Sequence, residues 1–267
     1  MRKIFLPLLL AIALLTGCGA DNDSENVNSM KQTHTLVVGL DDHYAPMGFR
    51  NDKGELVGFD VDLAKEVGKR LGIVFEFKPI DWDKKREELE SGNVDIIWNG
   101  TDVTEERKEY MTFSKPYMDN RQILLVKRGN IDRIRTVGDL EGRVVGTQAG
   151  SSSENYVNAT PSLKNTFAAF KTYRNFVDAF KELDNGDVDV LICDEILARY
   201  EMSTIPPRFY IVEATVGPVT EIAIGFRKND TELRDQVQKV FDEMIADGTA
   251  GKISEHWFQA DLIKRRR

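Results

Sequence analysis

The feature that most restricts the fold of this chain is a repeated alternation between short apolar runs and amphipathic stretches. Read from their hydrophobic periods, the predicted elements are a strand at 36–38, a helix at 60–71, a strand at 73–77, a helix at 84–89 and a strand at 95–98. Alternation of this kind indicates an α/β fold whose sheets are largely parallel.

An internal repeat indicates that the fold contains two similar parts. Residues 89–97 recur in modified form at 183–191, and both copies read as a helix end, a glycine stop and a buried strand. A weaker echo relates residues 37–39 to residues 144–146. Two short echoes in the same order favour two lobes of like design.

The end of the chain is predicted to return to the first of these lobes. After Val219 an apolar run at 222–224 is followed by a long helix at 231–247 with one apolar face. We therefore expect the chain to cross twice between lobes. The predicted division assigns residues 34–121 plus 220–267 to lobe 1 and residues 122–219 to lobe 2.

Composition excludes several classes of function. The chain has 267 residues with 36 Lys and Arg against 44 Asp and Glu, so its net charge is −8. An acidic chain with no basic block inside the fold is a poor nucleic-acid binder, because phosphate binding needs clustered cations. Two cysteines and three histidines are too few for a disulfide framework or a closed metal site. We expect no metal and no cofactor.

The two ends of the chain are predicted to lie outside the fold. Residues 1–17 have the basic start, apolar stretch and small residues of a signal peptide. Residues 15–18, Leu-Thr-Gly-Cys, resemble a bacterial lipobox, which implies that Cys18 is lipidated; the alternative is an ordinary signal with a chance cysteine. Residues 18–33 are polar and are predicted to form a flexible tether. The basic residues 264–267 are predicted to be a solvated end.

Several motifs resemble those of one family. Residues 58–71 are similar to the signature of the extracellular solute-binding proteins, family 3, which deliver polar amino acids to ABC importers. Further similar segments, in the same order as in the family, are residues 41–46, 104–108, 113–117, 145–152 and 248–258. The resemblance implies a periplasmic-binding-protein-like fold of type II, with two α/β lobes, two hinge crossings and the ligand cleft between them.

The resemblance also implies a set of ligand-binding residues. Arg107 matches the arginine that binds a ligand carboxylate, a role that suits its planar fork of donors; the alternative is a surface arginine paired with Glu105 or Glu106. Asp194 matches the ammonium partner, with helix capping as its alternative. The other implied contacts are donors at Ser151 and Ser152, walls at Tyr44 and Trp82, further lining at Asp41, Asn99, Gly100 and Gln148, and a contact from Cys193. The alternative for the serines is helix capping, which is compatible with ligand binding. The alternative for Cys193 is a small buried apolar residue.

Asp102 departs from the family pattern, in which Thr or Ser donates to the ligand carboxylate. An ionised aspartate only accepts hydrogen bonds and repels a carboxylate. Three interpretations remain open at this point. Asp102 pairs with Arg107 in the empty cleft, or binds a positive group of a basic or diamino ligand, or the ligand is not an ordinary α-amino acid.

The predicted function is that of a monomeric, lipid-anchored binding protein that passes an amino acid or related zwitterion to a membrane ABC permease. Its place would be the outer face of the cytoplasmic membrane, or the periplasm in a Gram-negative host. One alternative is an enzyme of the dehydratase kind, with Asp102, Asp194 or Glu221 as acid or base. Another is a ligand-binding sensor subunit.

Overall fold

The computed structural model describes residues 35–204 and 208–265. The signal peptide, Cys18 and the tether all lie outside the described residues. The described strands are β1 (Thr35–Leu40), β2 (His43–Tyr44), β3 (Gly48–Arg50), β4 (Leu56–Val57), β5 (Val74–Pro79), β6 (Ile96–Ile97), β7 (Met111–Phe113), β8 (Met118–Asn120), β9 (Gln122–Lys127), β10 (Val144–Gln148), β11 (Ala169–Tyr173), β12 (Val190–Asp194), β13 (Phe209–Thr215), β14 (Thr220–Ile222) and β15 (Gly225–Arg227).

Helices separate most of these strands, as the alternation predicted. The described α-helices are α1 (Phe59–Leu71), α2 (Lys85–Glu90), α3 (Glu105–Lys108), α4 (Ser152–Asn158), α5 (Pro161–Lys164), α6 (Phe176–Asn185), α7 (Glu195–Thr204), α8 (Thr231–Ala246) and α9 (Thr249–Phe258). No helix in the described part of the chain combines the length and apolar character needed to cross a membrane.

Two five-stranded sheets form the centres of the two lobes. The first has the order β5-β1-β6-β15-β7 and the second the order β11-β10-β12-β9-β13. In each sheet the first three strands are parallel, while β15 and β9 run antiparallel to both of their neighbours. In each sheet four of the five strands therefore run in the same direction, as predicted. Because each reversed strand lies between two others, half of the strand pairings in these two sheets are antiparallel.

The reversed strands are the ones that enter each sheet from the other lobe. β9 follows β8 after a single residue and β15 follows β14 after two residues, and β8 and β14 pair antiparallel in a separate two-stranded sheet. In that pairing Asn120 lies opposite Thr220. These two strands are the hinge crossings of the fold, and we call them the hinge strands.

The internal repeat seen in the sequence is a repeat of structure. After α2 and α6 the chain turns at Gly92 (φ 78°) and Gly186 (φ 87°) into β6 and β12, which occupy equivalent places in the two sheets. Asp95 Oδ2 accepts a hydrogen bond from the backbone N–H of Val37 at 2.7 Å, and Asp189 Oδ2 accepts one from that of Val144 at 2.8 Å. Both echoes thus fall on matching strands.

The C-terminal residues differ from the prediction of a solvated end. Lys264 Nζ pairs with Asp119 Oδ1 at 2.5 Å and with Glu221 Oε1 at 2.6 Å, on the two hinge strands. Its backbone N–H also donates to the carbonyl of Tyr117 at 2.8 Å. The prediction was wrong for Lys264, because carboxylates distant in sequence surround it; Arg266 and Arg267 lie outside the described residues.

Candidate functional site

The fold brings the ends of several parallel strands to one cavity between the lobes. Open α/β sheets bind ligands at the carboxyl ends of their strands. Eleven of the twelve ligand residues predicted from the sequence line this cavity: Asp41, Tyr44, Trp82, Asn99, Gly100, Asp102, Arg107, Gln148, Ser151, Ser152 and Asp194.

Arg107 is a buried cation without an ion-pair partner among the described residues. It lies in α3, where the Thr104 hydroxyl accepts from the Arg107 backbone N–H at 3.2 Å. Its guanidinium donates to the backbone carbonyls of Asp102 at 3.0 Å and Gly150 at 3.3 Å, while its Nε has no partner in the described structure. The residue is 1% exposed. Because the Arg107 guanidinium donates only to neutral backbone carbonyls in the described structure, its positive charge remains available to bind an anion.

Asp194 is the acidic counterpart and ends β12. Its carboxylate accepts from Tyr44 Oη at 2.5 Å, from Gln122 Nε2 at 2.6 Å and from Asn120 Nδ2. Burial, followed by the charge of Asp102, raises the pKa of Asp194 to about 6. Burial also raises the pKa of the Tyr44 hydroxyl, with the Asp194 charge as the next cause. The carboxylate accordingly has only neutral donors around it.

The carboxylate of Asp102 forms no ion pair with Arg107 in the described structure, although the two charges are opposite. Its Oδ1 accepts from Asn120 Nδ2 at 2.9 Å and from the Thr220 hydroxyl at 2.7 Å. Arg107 instead binds the backbone carbonyl of Asp102. In this structure, whose lobes meet across the cavity, the Asp102 carboxylate is therefore not paired with Arg107; the pair in the empty, open cleft stays a prediction.

The start of α4 supplies two serines with different roles, Ser151 as its N-cap and Ser152 as its first residue. Ser151 caps α4 by accepting from the Glu154 backbone N–H at 3.1 Å, so the capping alternative is correct for this hydroxyl. The Ser152 hydroxyl is buried and has no partner in the described structure. A buried hydroxyl without a partner is a candidate ligand donor.

Opposite the start of α4, Asp41 and Asn99 form the other polar wall. The Asp41 carboxylate accepts from Gln148 Nε2 at 2.6 Å and from the His43 backbone N–H at 2.9 Å. Burial raises the pKa of Asp41. Asn99 Oδ1 accepts from the Asp41 backbone N–H at 3.1 Å, which leaves its buried Nδ2 without a described partner.

Trp82 borders the cavity at 6% exposure, and two cations lie against its ring. The guanidinium carbon of Arg107 is 5.8 Å from the ring centroid, and the Lys85 ammonium nitrogen is 5.1 Å from it. Lys85 Nζ donates to the carbonyls of Trp82 at 3.0 Å and Gly150 at 2.7 Å. Burial, followed by repulsion from Arg107, lowers the pKa of Lys85 to about 7.

Cys193 differs from the other predicted site residues. It precedes Asp194 in β12, and successive side chains of a strand point to opposite faces. Its side chain is fully buried in the apolar core and is absent from the cavity lining. Burial raises the pKa of its thiol.

Several residues that support the site were not predicted from the sequence, and only Asp60 among them lies in one of the motifs, residues 58–71. Asn120, Gln122 and Thr220 reach the two carboxylates from the hinge strands and from the start of β9. Asp60 Oδ2 accepts from the Gly100 backbone N–H at 2.6 Å, and burial raises the pKa of Asp60 to about 7. The motif at 58–71 could have pointed to Asp60, and a polar residue at the head of an apolar run could have pointed to Gln122; Asn120 and Thr220 have no such signal.

The contacts across the cavity describe a closed arrangement. Lys85 and Asp41 belong to the first lobe, and they bond to Gly150 and Gln148 of the second. Tyr44 and Asp194 make a third such bond. The fold therefore has a state in which polar side chains of the two lobes meet around the cavity.

One group of potential metal ligands adjoins the site. The ligand atoms of Asp41, Asp42 and His43 lie within 4.8 Å of one another. Arg50 Nε donates to Asp42 Oδ2 at 2.6 Å, so a cationic side chain already holds this carboxylate. The prediction of no metal is not tested by this arrangement.

Comparisons with known proteins agree with the geometry. The family model of the bacterial extracellular solute-binding proteins, family 3, matches residues 36–260. The L-cystine-binding protein TcyJ of Escherichia coli strain K12 is 31% identical over 258 residues, covering 96% of this chain and 95% of the relative.

Two solved structures are similar in fold and sequence. An ABC uptake transporter substrate-binding protein of Streptococcus pneumoniae with bound histidine has a TM-score of 0.82 and 35% identity, covering 86% of this chain and 95% of the other. An ancestral arginine-binding protein bound to arginine has a TM-score of 0.78 and 40% identity, covering 84% and 98%. The chain belongs to the bacterial extracellular solute-binding proteins, family 3, and has their type II periplasmic-binding fold.

Proposed function

We propose that this protein captures a polar or basic amino acid between its two lobes and delivers it to the membrane permease of an ABC importer. The observation that carries the proposal is the pair Arg107 and Asp194, two buried charges of opposite sign that line one cavity and are not paired with each other. Buried charges without ionic partners are costly unless a ligand completes them. The relatives, which bind cystine, histidine and arginine, support the same class.

The ligand's polar groups have matching partners in the cavity. Its carboxylate is bound by the guanidinium of Arg107, whose Nε is free, and by the free hydroxyl of Ser152. Its ammonium is bound by Asp194. Its side chain lies beside Tyr44 and Trp82, which give the cavity aromatic surface.

Closure supplies the mechanical part of the function. The ligand shifts the protein toward the closed form only by the amount that it binds that form more tightly than the open one. Because Arg107 and Asp194 belong to different lobes, an amino acid that bridges them interacts fully only in the closed form. The permease then receives the unchanged ligand.

Export and anchoring complete the proposal. Residues 1–17 act as the signal peptide, Cys18 carries the lipid and residues 18–33 tether a monomer to the outer face of the cytoplasmic membrane. A tether keeps the protein at high effective concentration near its permease. Replacing Cys18→Ser should move the protein from the membrane fraction to the soluble fraction; a protein that stays membrane-bound would contradict the anchor.

A binding experiment tests the central proposal. We expect polar and basic amino acids, screened together with cystine, to raise the melting temperature of the purified protein, since a ligand specific for the native state stabilises it. Arg107→Met should abolish the shift, whereas the surface control Arg135→Gln should keep it. If no amino acid in the panel alters the melting temperature, the proposal is refuted.

Catalysis is the alternative that the site chemistry makes worth testing, because Asp194 is a buried carboxylate with a raised pKa. Glu221, the third acid considered, lies outside the cavity lining and pairs with Lys264 at 2.6 Å. Ligands recovered unchanged after incubation, as followed by NMR, would support pure binding. Formation of a dehydrated product would favour the enzyme.

A further inference from the structure

Asp102 is a buried anion held by the hinge rather than by a cation. It is 2% exposed, and among the described residues its carboxylate accepts hydrogen bonds from the side chains of Asn120 and Thr220. These two residues lie directly opposite each other in the pairing of the hinge strands. Both partners are neutral, so the carboxylate is fixed in position without being neutralised.

The same amide that holds Asp102 also holds Asp194. Asn120 Nδ2 donates to Oδ1 of Asp102 at 2.9 Å and to Oδ1 of Asp194. Two acceptors of one nitrogen lie no further apart than about two hydrogen-bond lengths, roughly 6 Å. The Asp102 charge is accordingly one cause of the raised pKa of Asp194. The cavity thus has two adjacent carboxylates that share one amide donor, and neither forms an ion pair with any residue that the structure describes.

The charges that line the cavity are unequal in number. Asp41, Asp102 and Asp194 are acidic, while Arg107 is the sole basic residue of the lining within the described chain. A neutral zwitterion adds one carboxylate and one ammonium, so it leaves this excess of negative charge unchanged. A ligand with a second cationic group reduces it.

We propose that Asp102 and Asp194, joined by Asn120, form a two-carboxylate subsite for an amino acid with a second ammonium group on a short side chain. The proposal rests on the proposed function, because the ligand carboxylate still requires Arg107. Asp194 binds the α-ammonium and Asp102 binds the side-chain ammonium. The short side chain follows from the nearness of the two carboxylates, which a group two or three carbons from the α-ammonium can span.

Calorimetric titration with matched ligands tests this assignment. 2,4-Diaminobutyrate and homoserine have the same length and differ in an ammonium against a hydroxyl. We expect diaminobutyrate to bind at least tenfold more tightly than homoserine, and more tightly than lysine. Asp102→Asn preserves the shape and both acceptor contacts of the side chain, and it should reduce the tenfold preference to about twofold with homoserine binding retained.

A control and the contrary results make the test decisive. Glu221→Gln removes a carboxylate one residue from Thr220 but outside the cavity, and it should leave the preference unchanged. Equal binding of diaminobutyrate and homoserine by the unaltered protein overturns the subsite while the proposed function stands. A preference for diaminobutyrate that survives Asp102→Asn, or a stronger preference for lysine, also overturns it. Binding of no amino acid at all refutes the proposed function together with the subsite.

Discussion

Asp194 and Glu195 are consecutive acidic residues whose environments differ completely. Asp194 faces the cavity, where burial raises its pKa to about 6. Glu195 lies in a surface cluster in which Arg121 and Arg199 donate to it, at 2.6 Å each, and its pKa is lowered to about 2. The surface cluster pairs each charge with its opposite, whereas Arg107 and Asp194 in the cavity form hydrogen bonds only with neutral groups of the described chain.

This difference shows that the charges available to a ligand lie in the cavity and not in the surface cluster. Exposed ion pairs contribute about 0–1 kcal/mol to stability, because solvent already screens their charges. A buried charge without an ionic partner destabilises the empty protein, and only a bound ligand recovers that energy. The predictions below therefore separate effects on binding, expected in the cavity, from effects on stability, expected in the surface cluster.

Removal of the cavity charges should have the largest effect. Arg107→Met leaves the ligand carboxylate without its charged donor, so we expect the affinity to fall by a factor of about 100 to 1,000, equivalent to roughly 3–4 kcal/mol. Asp194→Asn should cause a comparable loss while raising the melting temperature of the empty protein. Calorimetry and thermal unfolding measure the two effects. Retention of affinity within fivefold in either variant would contradict the assigned roles.

Acidification should weaken binding and stabilise the empty protein. With a pKa near 6, Asp194 is mostly protonated at pH 5, and the affinity should be about tenfold lower there than at pH 7.5. Its pKa is higher folded than unfolded, so the folded state holds the proton more strongly and gains about 1–2 kcal/mol as the pH falls to 5. Asp60, with a pKa of about 7, adds an effect of the same sign. Lys85, whose pKa is lowered to about 7, has the opposite effect of about 1 kcal/mol, because the folded state must take up a proton that the unfolded state already holds; the sum remains stabilising.

Titrations at several pH values, with thermal unfolding of the empty protein at the same values, check both signs. Glu195 does not confuse the result, because its lowered pKa removes stability only below about pH 4.5. Equal affinities at pH 7.5 and pH 5 would show that Asp194 does not bind the ligand through its charge.

Lys85 tests the comparison between cavity and surface in a third place, because it donates a hydrogen bond to the opposite lobe but does not line the cavity. Lys85→Met removes the donor to the Gly150 carbonyl and the ammonium contact with the Trp82 ring, and it keeps an unbranched side chain. We expect the affinity to fall about fivefold, the effect of one hydrogen bond of the closed form, roughly 1 kcal/mol. Stability of the empty protein should be unchanged or greater, because a buried cation is removed. A clear loss of stability would instead assign Lys85 a structural role.

The surface cluster should give the smallest effect. Arg121→Gln breaks the contacts with Glu195 and Glu213, and we expect it to reduce stability by no more than about 1 kcal/mol. Ligand affinity should stay within twofold of the unaltered value. An affinity loss as large as that of Arg107→Met would show that the two regions are energetically coupled through β9.

The sequence predicted the two-lobed α/β fold and the position of most of the cavity lining, because strand ends and motif residues lie in local patterns. It did not predict that β9 and β15 run against their neighbours, since hydrophobic period has no direction. It also missed Asn120 and Thr220, whose side chains meet Asp102 only through the pairing of the hinge strands. Cys193 was predicted to contact the ligand because it adjoins Asp194. Successive side chains of a strand point to opposite faces, and Cys193 lies in the core.

The predicted boundaries of the lobes, and the roles of the lining residues in binding, stay predictions. What the structure adds is the set of partners that each charged side chain has, and partners cannot be read from spacing. Asp102 illustrates the point. Its identity raised the question of charge in the cleft, and only its contact with Asn120 showed that the hinge holds it beside Asp194.

Gly150 determines how far the two lobes can approach each other. Its φ is +70°, and a Cβ at this position would lie 2.6 Å from the Cα of Asp83 in the first lobe. Even a methyl group at this position would therefore collide with the backbone of Asp83 and prevent full closure, whatever the ligand. The absence of a side chain at Gly150 is thus a condition for the closest approach of the two lobes.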